Sequence, residues 1–326
     1  MSKARDLADS YTDSEIDSDV IDAKAGRKNL IINGGFDVSQ RGNYSSATAT
    51  ANNAYSLDRW SLALSLVTGT VQHNEVVLPN GTKTMAMKVA GTSTSASTGF
   101  LGIRQVIEDF RILSGQVVTA SMWIRTNLES MTFRHDSTTN FGDYVTPDGE
   151  WHYHTATYQM PTITSAGRSA NQTTLAIINY TGLAGGGVTA GDYFEVANVQ
   201  LELGSQATDF EYRSYGEELA LCKRYYEIAI NGAKFENTFG LLKGASTTQA
   251  IGVYYFDVEK RAKPTITTSG IPVVYIGGSG YVPDSVTSTN AGTLGGRFIV
   301  NDTVYTASQA YHIDINTFSL AADAEL

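Results

Sequence analysis

The chain has 326 residues, a formal net charge of -10, a pI near 5.0 and charged residues at only 17%. That length allows one sizeable core and room for a second, but an acidic chain lacks the clustered Lys and Arg that nucleic acid or anionic lipid needs. The single Cys222 excludes an intrachain disulfide, and no run approaches the ~20 apolar residues of a membrane-spanning helix.

Residues 1–28 form a compositional block of their own. Asp6, Asp9, Asp13, Glu15, Asp17, Asp19 and Asp22 crowd around the few apolar residues Leu7, Ile16, Val20 and Ile21. Such a segment cannot bury enough surface to fold alone, and reads as a disordered tail or as an arm that orders on a partner. It has no apolar signal-peptide core, so the expectation is a soluble protein made in a cytoplasm without Sec export.

From 29 to 212 the chain reads as short strands between Gly, Asn, Asp and Ser turns. The candidates are Leu30–Ile32, Trp60–Val67, Met85–Val89, Gly115–Arg125, Ser130–His135, His152–Met160, Thr174–Asn179 and Asp192–Leu203, with one helical hint near Ile103–Phe110. In the stretch Val117–Arg125, Val118, Ala120, Met122 and Ile124 make an apolar face, while Val117, Thr119, Ser121 and Trp123 make a mixed one. That is the pattern of a sheet that packs inward and presents a groove outward. Strands at this spacing predict a two-sheet β-sandwich.

The period changes between Tyr193 and Tyr226. Ala197, Val199, Leu201 and Leu203 alternate with Asn198, Gln200 and Glu202, as on a half-buried strand. From Ser214 the pattern is helical, with a Ser214/Glu217 capping box, acidic Glu217 and Glu218 first, basic Lys223 and Arg224 last, and Leu219, Cys222 and Tyr226 on one face. Cys222 there reads as a small buried hydrophobe. Residues 213–230 thus predict a linking helix, and 231–326 a smaller β-domain with strands at Gly252–Val258, Thr265–Thr268, Val273–Ile276, Arg297–Val300 and Ala310–Ile315. Pro264 is expected to start a strand or sit at an edge.

These stretches together resemble bacteriophage tail fibre and related virion fibre proteins. VQLELG leading to YGEELALCKRYY (within Asn198–Tyr226), NLIINGGFDVSQRG (Asn29–Gly42), YSLDRW (Tyr55–Trp60), VEKRAKPTIT (Val258–Thr267) and the closing DAEL carry the resemblance. NGGF and VQLELG are also similar to jelly-roll carbohydrate-binding modules. The resemblance implies a mainly β protein: a jelly-roll β-sandwich (29–212), a short helix (213–230) and a smaller C-terminal β-domain (231–326), behind an N-terminal attachment arm (1–28). It implies a homotrimer located in the virion and synthesised in the host cytoplasm. Its arm would join other tail or virion proteins, Leu7, Ile16, Val20 and Ile21 supplying the apolar contacts, and it would adhere to host surface polysaccharide without catalysis. No long heptad stem is present, so the helix is the candidate subunit contact. Two alternatives remain open: a structural virion component such as a head fibre, decoration or tail joint, and a polysaccharide depolymerase.

Candidate chemistry follows from residue types. Aromatic platforms with nearby amides and carboxylates suit sugars. Tyr144, Trp151 and Tyr153 with Asp143 form one candidate glycan-binding group, and Tyr275 and Tyr281 another, while Tyr158 is a further candidate platform. Trp60 and Trp123, lying on strands, are assigned to the core. Jelly-roll modules often hold a structural Ca²⁺, for which Asn33, Asp37 and Asp192 are the candidate ligands, although Asn198 stands where an acidic residue would support it better. No other cofactor is implied. His152 and His154 share a strand face without a third ligand nearby. Asp136, Asp143, Asp148 and Glu150 are the carboxylates available for glycoside hydrolysis, with nothing to separate them from turn residues.

Overall fold

The computed structural model describes residues 28–94, 99–108, 112–135, 139–162, 172–179, 187–231, 240–276, 279–289, 291–314 and 318–325. Leu7, Ile16, Val20, Ile21 and Asp136 lie outside them, so nothing is added to the reading of the arm. The protein is mainly β, and it divides into two compact units, Met1–Ser214 and Tyr215–Leu326.

In the first unit the strands are β1 (Thr48–Thr50), β2 (Ser61–Ser65), β3 (Gly69–Val77), β4 (Lys83–Gly91), β5 (Phe100–Glu108), β6 (Val117–Thr126), β7 (Met131–His135), β8 (Thr139–Phe141), β9 (His152–Gln159), β10 (Gln172–Asn179) and β11 (Tyr193–Leu203). They form a jelly-roll sandwich of two antiparallel sheets, one in the order β1-β3-β4-β11-β6-β9 and the other β2-β5-β10-β7-β8. The alternation in β6 has the predicted effect: Val118, Ala120, Met122 and Ile124 enter the core with Met87, Val89, Leu101, Ile103 and Phe133.

Three local expectations change. The helical hint near Ile103–Phe110 falls largely on β5. Ile103, Val106, Ile107 and Phe110 imitate helical spacing, but Leu101, Ile103 and Ile107 face the core at the two-residue period of a strand. In β11 the two faces do not run through unbroken. A β-bulge lies between Ala197 and Gln200, and Asn198 has φ 51. Phe194 and Val196, then Val199 and Leu201, therefore face the core, while Ala197 joins Leu78 and Ala86 on the opposite surface of the sheet.

Leu30–Ile32 is not a strand. The segment instead lies against β11, beyond the stretch Tyr193–Val196 that β4 pairs. Leu30 N–H donates to Leu201 O at 2.8 Å and Val199 N–H to Gly34 O at 2.9 Å. Asn33 is fully buried: its amide donates to Val38 O (2.8 Å) and Asp58 O (2.9 Å), and its Oδ1 accepts from Val38 N–H (3.0 Å). Trp60, from YSLDRW, sends its indole N–H to Asn33 O at 2.9 Å and packs 5.3 Å from Phe36. The two opening motifs are thus one interlocked corner of the sandwich.

The second unit begins with helix α1 (Tyr215–Lys223), shorter than the 213–230 segment predicted, because the chain turns to strand β12 (Tyr226–Asn231). The buried residues of the helix are Glu218 and Cys222, where Leu219 and Cys222 were expected; Tyr225, also buried, lies in the turn after it, and Tyr226 belongs to the strand. Strands β13 (Gly240–Gly244), β14 (Gln249–Tyr255), β15 (Thr265–Ser269), β16 (Val273–Ile276), β17 (Ser279–Tyr281), β18 (Ser285–Thr289), β19 (Gly295–Asn301), β20 (Ala310–Asp314) and β21 (Ser319–Asp323) follow. They make a sheet β12-β21-β15 and a sheet β17-β16-β20-β13-β14-β19-β18. Pro264 directly precedes β15, an edge strand, where its missing N–H costs nothing. No helix among the described residues is long and apolar enough to cross a membrane.

Candidate functional site

The outward surface of the six-stranded sheet is where polar and aromatic side chains converge. Its mixed composition comes from β6, whose Thr119, Ser121 and Trp123 point away from the core. Trp123 is therefore not a core residue, contrary to its assignment from strand position alone. It is half-buried, pairs across the ladder with Tyr153 of β9, and places its ring 5.3 Å from that tyrosine at 49°. Tyr153 is 47% exposed, so the two rings form a surface platform and not a sealed contact. Trp60, in contrast, is fully buried as expected.

One wall of a cleft is built by the chain just after β11. Gln200 on the strand holds this segment down: its amide reaches Thr208 O and Asp209 O at 3.4 Å, and its Oε1 accepts Glu211 N–H at 2.9 Å. Glu202 accepts Thr208 N–H (2.8 Å) and its hydroxyl (2.7 Å), with Lys28 Nζ 3.8 Å away. Phe210 and Tyr212 then stand edge to face at 4.9 Å. The bulge residue Asn198 ties wall to floor. Its Nδ2 donates to the Tyr212 hydroxyl at 3.1 Å, while its Oδ1 accepts from Thr84 Oγ1 at 2.8 Å. Asn80 and Thr82, in the turn between β3 and β4, complete the rim. The enclosed volume is about 540 Å³, within the range of small-ligand sites.

Of the predicted glycan contacts, Tyr153 lines this cleft. Trp151 lies on the same sheet surface, against the Leu78, Ala86 and Ala197 cluster, but it is not part of the lining. The Arg125 guanidinium covers its ring at 5.0 Å and pairs with Glu195 at 2.6 and 2.7 Å. Asp143 and Tyr144 occupy the loop between β8 and β9 and do not line the cleft. Tyr158 stacks on Phe141 at 4.9 Å beside the core. Tyr275 and Tyr281 belong to β16 and β17 of the second unit, 40% and 41% exposed. Trp123, a candidate platform that its strand position assigned to the core, is a lining residue; those not anticipated at all are Ser121, Asn198, Asn80 and Thr82 of the β3–β4 turn, and the wall at 207–210 with Tyr212. Ser121 and Trp123 had a signal in the β6 alternation, whereas the fold-back of 207–212 over Gln200 had none.

Among the residues considered for acid–base or metal chemistry, Asp148 and His154 do not line the cleft. Asp148 accepts Glu150 N–H (2.9 Å) and His152 Nε2 (2.9 Å), and these bonds hold its carboxyl below the usual range. His154 stacks on Phe133 at 5.4 Å, and burial pushes its pKa down. For calcium, Asn33 directs its side chain at backbone groups, and Asp192 accepts Thr189 N–H at 2.6 Å within its own turn. Asp37 is exposed. Among the described residues, no group of three or more His, Cys, Asp or Glu side chains is placed to hold a metal ion.

No protein-family model matches the chain, and no curated protein matches it. Solved structures align with part of its length. One is the enzymatically active domain of tailspike protein 4 of bacteriophage CBA120, at 13% identity and TM-score 0.34, covering 54% of this chain and 21% of that one. Another is the family 11 carbohydrate-binding module of the cellulosomal cellulase Lic26A-Cel5E of Clostridium thermocellum, at 15% identity and TM-score 0.29, covering 51% of this chain and 99% of the module. A Stig cyclase from Fischerella sp. TAU aligns at 12% identity and TM-score 0.36, over 55% of this chain and 98% of the cyclase.

Proposed function

We propose that this chain is a glycan-binding fibre protein of a bacteriophage virion, acting by adhesion and not by catalysis. The observation that carries the reading is the cleft on the six-stranded sheet. Trp123 and Tyr153 offer ring faces at its floor, Tyr212 stands as an exposed aromatic at its wall, and Ser121, Asn198, Asn80 and Thr208 supply hydroxyl and amide groups around them. Sugars present an apolar C–H face and a rim of hydroxyls, which is the complement of that arrangement. Its volume of about 540 Å³ falls in the range of small-ligand sites.

Binding without cleavage is supported by the carboxylate count. Among the described residues lining the cleft, Asp209 is the one carboxylate, whereas glycoside hydrolysis normally uses a pair. The fibre motifs support placement in a virion, with a homotrimer presenting several weak sites so that effective concentration supplies the grip. The acidic arm with Leu7, Ile16, Val20 and Ile21 would join other virion proteins.

The test is affinity electrophoresis of the purified protein in gels containing host surface polysaccharide. Trp123→Ala and Tyr153→Ala should each lower affinity at least about tenfold, the ~1.4 kcal/mol scale of one stacking contact, under conditions where circular dichroism shows each variant fully folded. Equal retardation of the variants and the parent protein would remove the cleft as the site. Release of reducing ends from the same polysaccharide would overturn the non-catalytic part.

A further inference from the structure

We propose that the cleft selects uncharged glycan chains and turns away polyanionic ones, with Asp209 as the residue that sets the preference. The proposal rests on the sugar-binding reading above and adds the chemical class of the ligand. Its basis is the charge inventory of the sheet surface. Among the described lining residues there is no Lys, Arg or His; beside the aromatics and the hydroxyl and amide groups, the ionised group is the exposed carboxylate of Asp209.

The cations on that surface are already engaged. Arg125 is forked onto the buried Glu195 and lies over Trp151. Lys88 sits 4.4 Å from the Tyr193 ring centre, and Lys28 faces Glu202. A uronate, sialate or sulfate entering the cleft would therefore lose water without meeting a counter-charge, beside a carboxylate of its own sign. The chain's net charge of -10 adds long-range repulsion of any polyanion. A neutral sugar meets the opposite situation, because the Asp209 oxygens are strong acceptors for vicinal hydroxyls, and Asn80 and Thr82 on the rim offer further polar groups. Recognition of this kind is expected to be nearly independent of salt.

The test uses the full-length protein on a glycan array that prints neutral, uronate, sialylated and sulfated oligosaccharides. Parent, Trp123→Ala, Asp209→Asn and Asp209→Lys proteins are compared at low and high salt. Expected are Trp123-dependent signals on neutral glycans that persist at high salt, with acidic members of the same backbone at least about tenfold weaker. Asp209→Lys should raise the acidic members by about tenfold while leaving them Trp123-dependent, and Asp209→Asn should do so in part. Trp123-dependent binding of acidic glycans by the parent protein, equal to or above the neutral ones, overturns the charge preference while keeping the sugar site. An array without any Trp123-dependent spot removes the sugar site itself, and this inference with it.

Discussion

Lys260 shows how much one side chain can organise. Its ammonium is buried, donating to Lys223 O at 2.5 Å, to Val258 O at 3.0 Å and to the Glu227 carboxylate, and it lies 4.6 Å from the Phe256 ring centre. Lys223 O is a carbonyl at the end of α1, where a cation complements the helix dipole. Glu227 lies on β12, so one ammonium joins the helix end, the next strand and its own loop. Burial lowers the lysine's pKa, and the ion pair with Glu227 opposes that shift. Lys260→Met removes the nearer cation from buried Glu227, leaving it Lys223 Nζ at 4.0 Å and the Asp257 N–H, and should cost about 3 kcal/mol of stability in the second unit, measured by urea unfolding followed through tyrosine emission. Adding Glu227→Gln should recover part of the loss. A single-variant cost near zero would show that the pair is dispensable. The stretches YGEELALCKRYY and VEKRAKPTIT were legible in the sequence as carriers of the fibre-protein resemblance. Their meeting was not, because residues 223–227 and 258–260 are joined only by tertiary packing.

At the scale of elements, the opening segment and the bulge in β11 depend on each other. The bulge shifts Val199 into the core, and the segment at Leu30–Gly34 takes up hydrogen-bonding positions on β11 at Val199 and Leu201. The approach is close: a Cβ on Gly34 would come within 2.1 Å of Val199 O, which is backbone and cannot swing aside. Gly34→Ala should therefore destabilise the first unit by about 3 kcal/mol, read as a fall in the urea midpoint by tryptophan emission. Glycan affinity should fall with it. Asn29 N–H donates to Glu211 (2.5 Å) and Arg213 to Ile31 O (3.1 Å), so the same segment braces the chain that becomes the cleft wall. Full stability in the variant would mean the backbone yields there. What could be read from sequence at this scale follows the same division. The clean alternation of β6 was found with its faces, whereas β9 was found as a strand only: His154, expected at the surface, turns inward onto Phe133, and Tyr158 follows it toward the core. β3 and β5 were missed, the first because GTVQHNEVV is mostly polar, the second because its apolar spacing also fits a helix. The bulge gave no local warning: Ala197–Leu203 alternates perfectly on paper, and only pairing with Trp123 on one side and Ser121 on the other reveals the extra residue.

At the scale of the whole molecule, the tryptophans give the first unit a spectroscopic reporter of its own. Trp60, Trp123 and Trp151 all fall in the first unit, and the second has tyrosines alone. The first unit also holds His73 and His154, both pushed by burial below the usual value of 6.5; His73 makes a 2.8 Å bond to Phe36 O, and Asp143 partly offsets the shift at His154. In the unfolded chain these imidazoles bind protons near that value, while in the fold they resist doing so. Their contribution is fully present above the unfolded value and is lost as pH falls through the lower folded ones. Asp58, whose carboxyl is raised chiefly by burial against two hydrogen bonds from Gln40, acts in the opposite sense at lower pH. Thermal unfolding followed by tryptophan emission should therefore show a midpoint about 2–4 °C lower at about pH 5.5 than at about pH 7.5. His154→Phe isolates the imidazole part of this change. It keeps the stack on Phe133 and removes a buried Nε2 that has no hydrogen-bond partner among the described residues, so the variant should melt no lower than the parent and show a shallower pH slope. A pH slope unchanged by the substitution would assign the acid sensitivity to His73 or to the carboxylates instead.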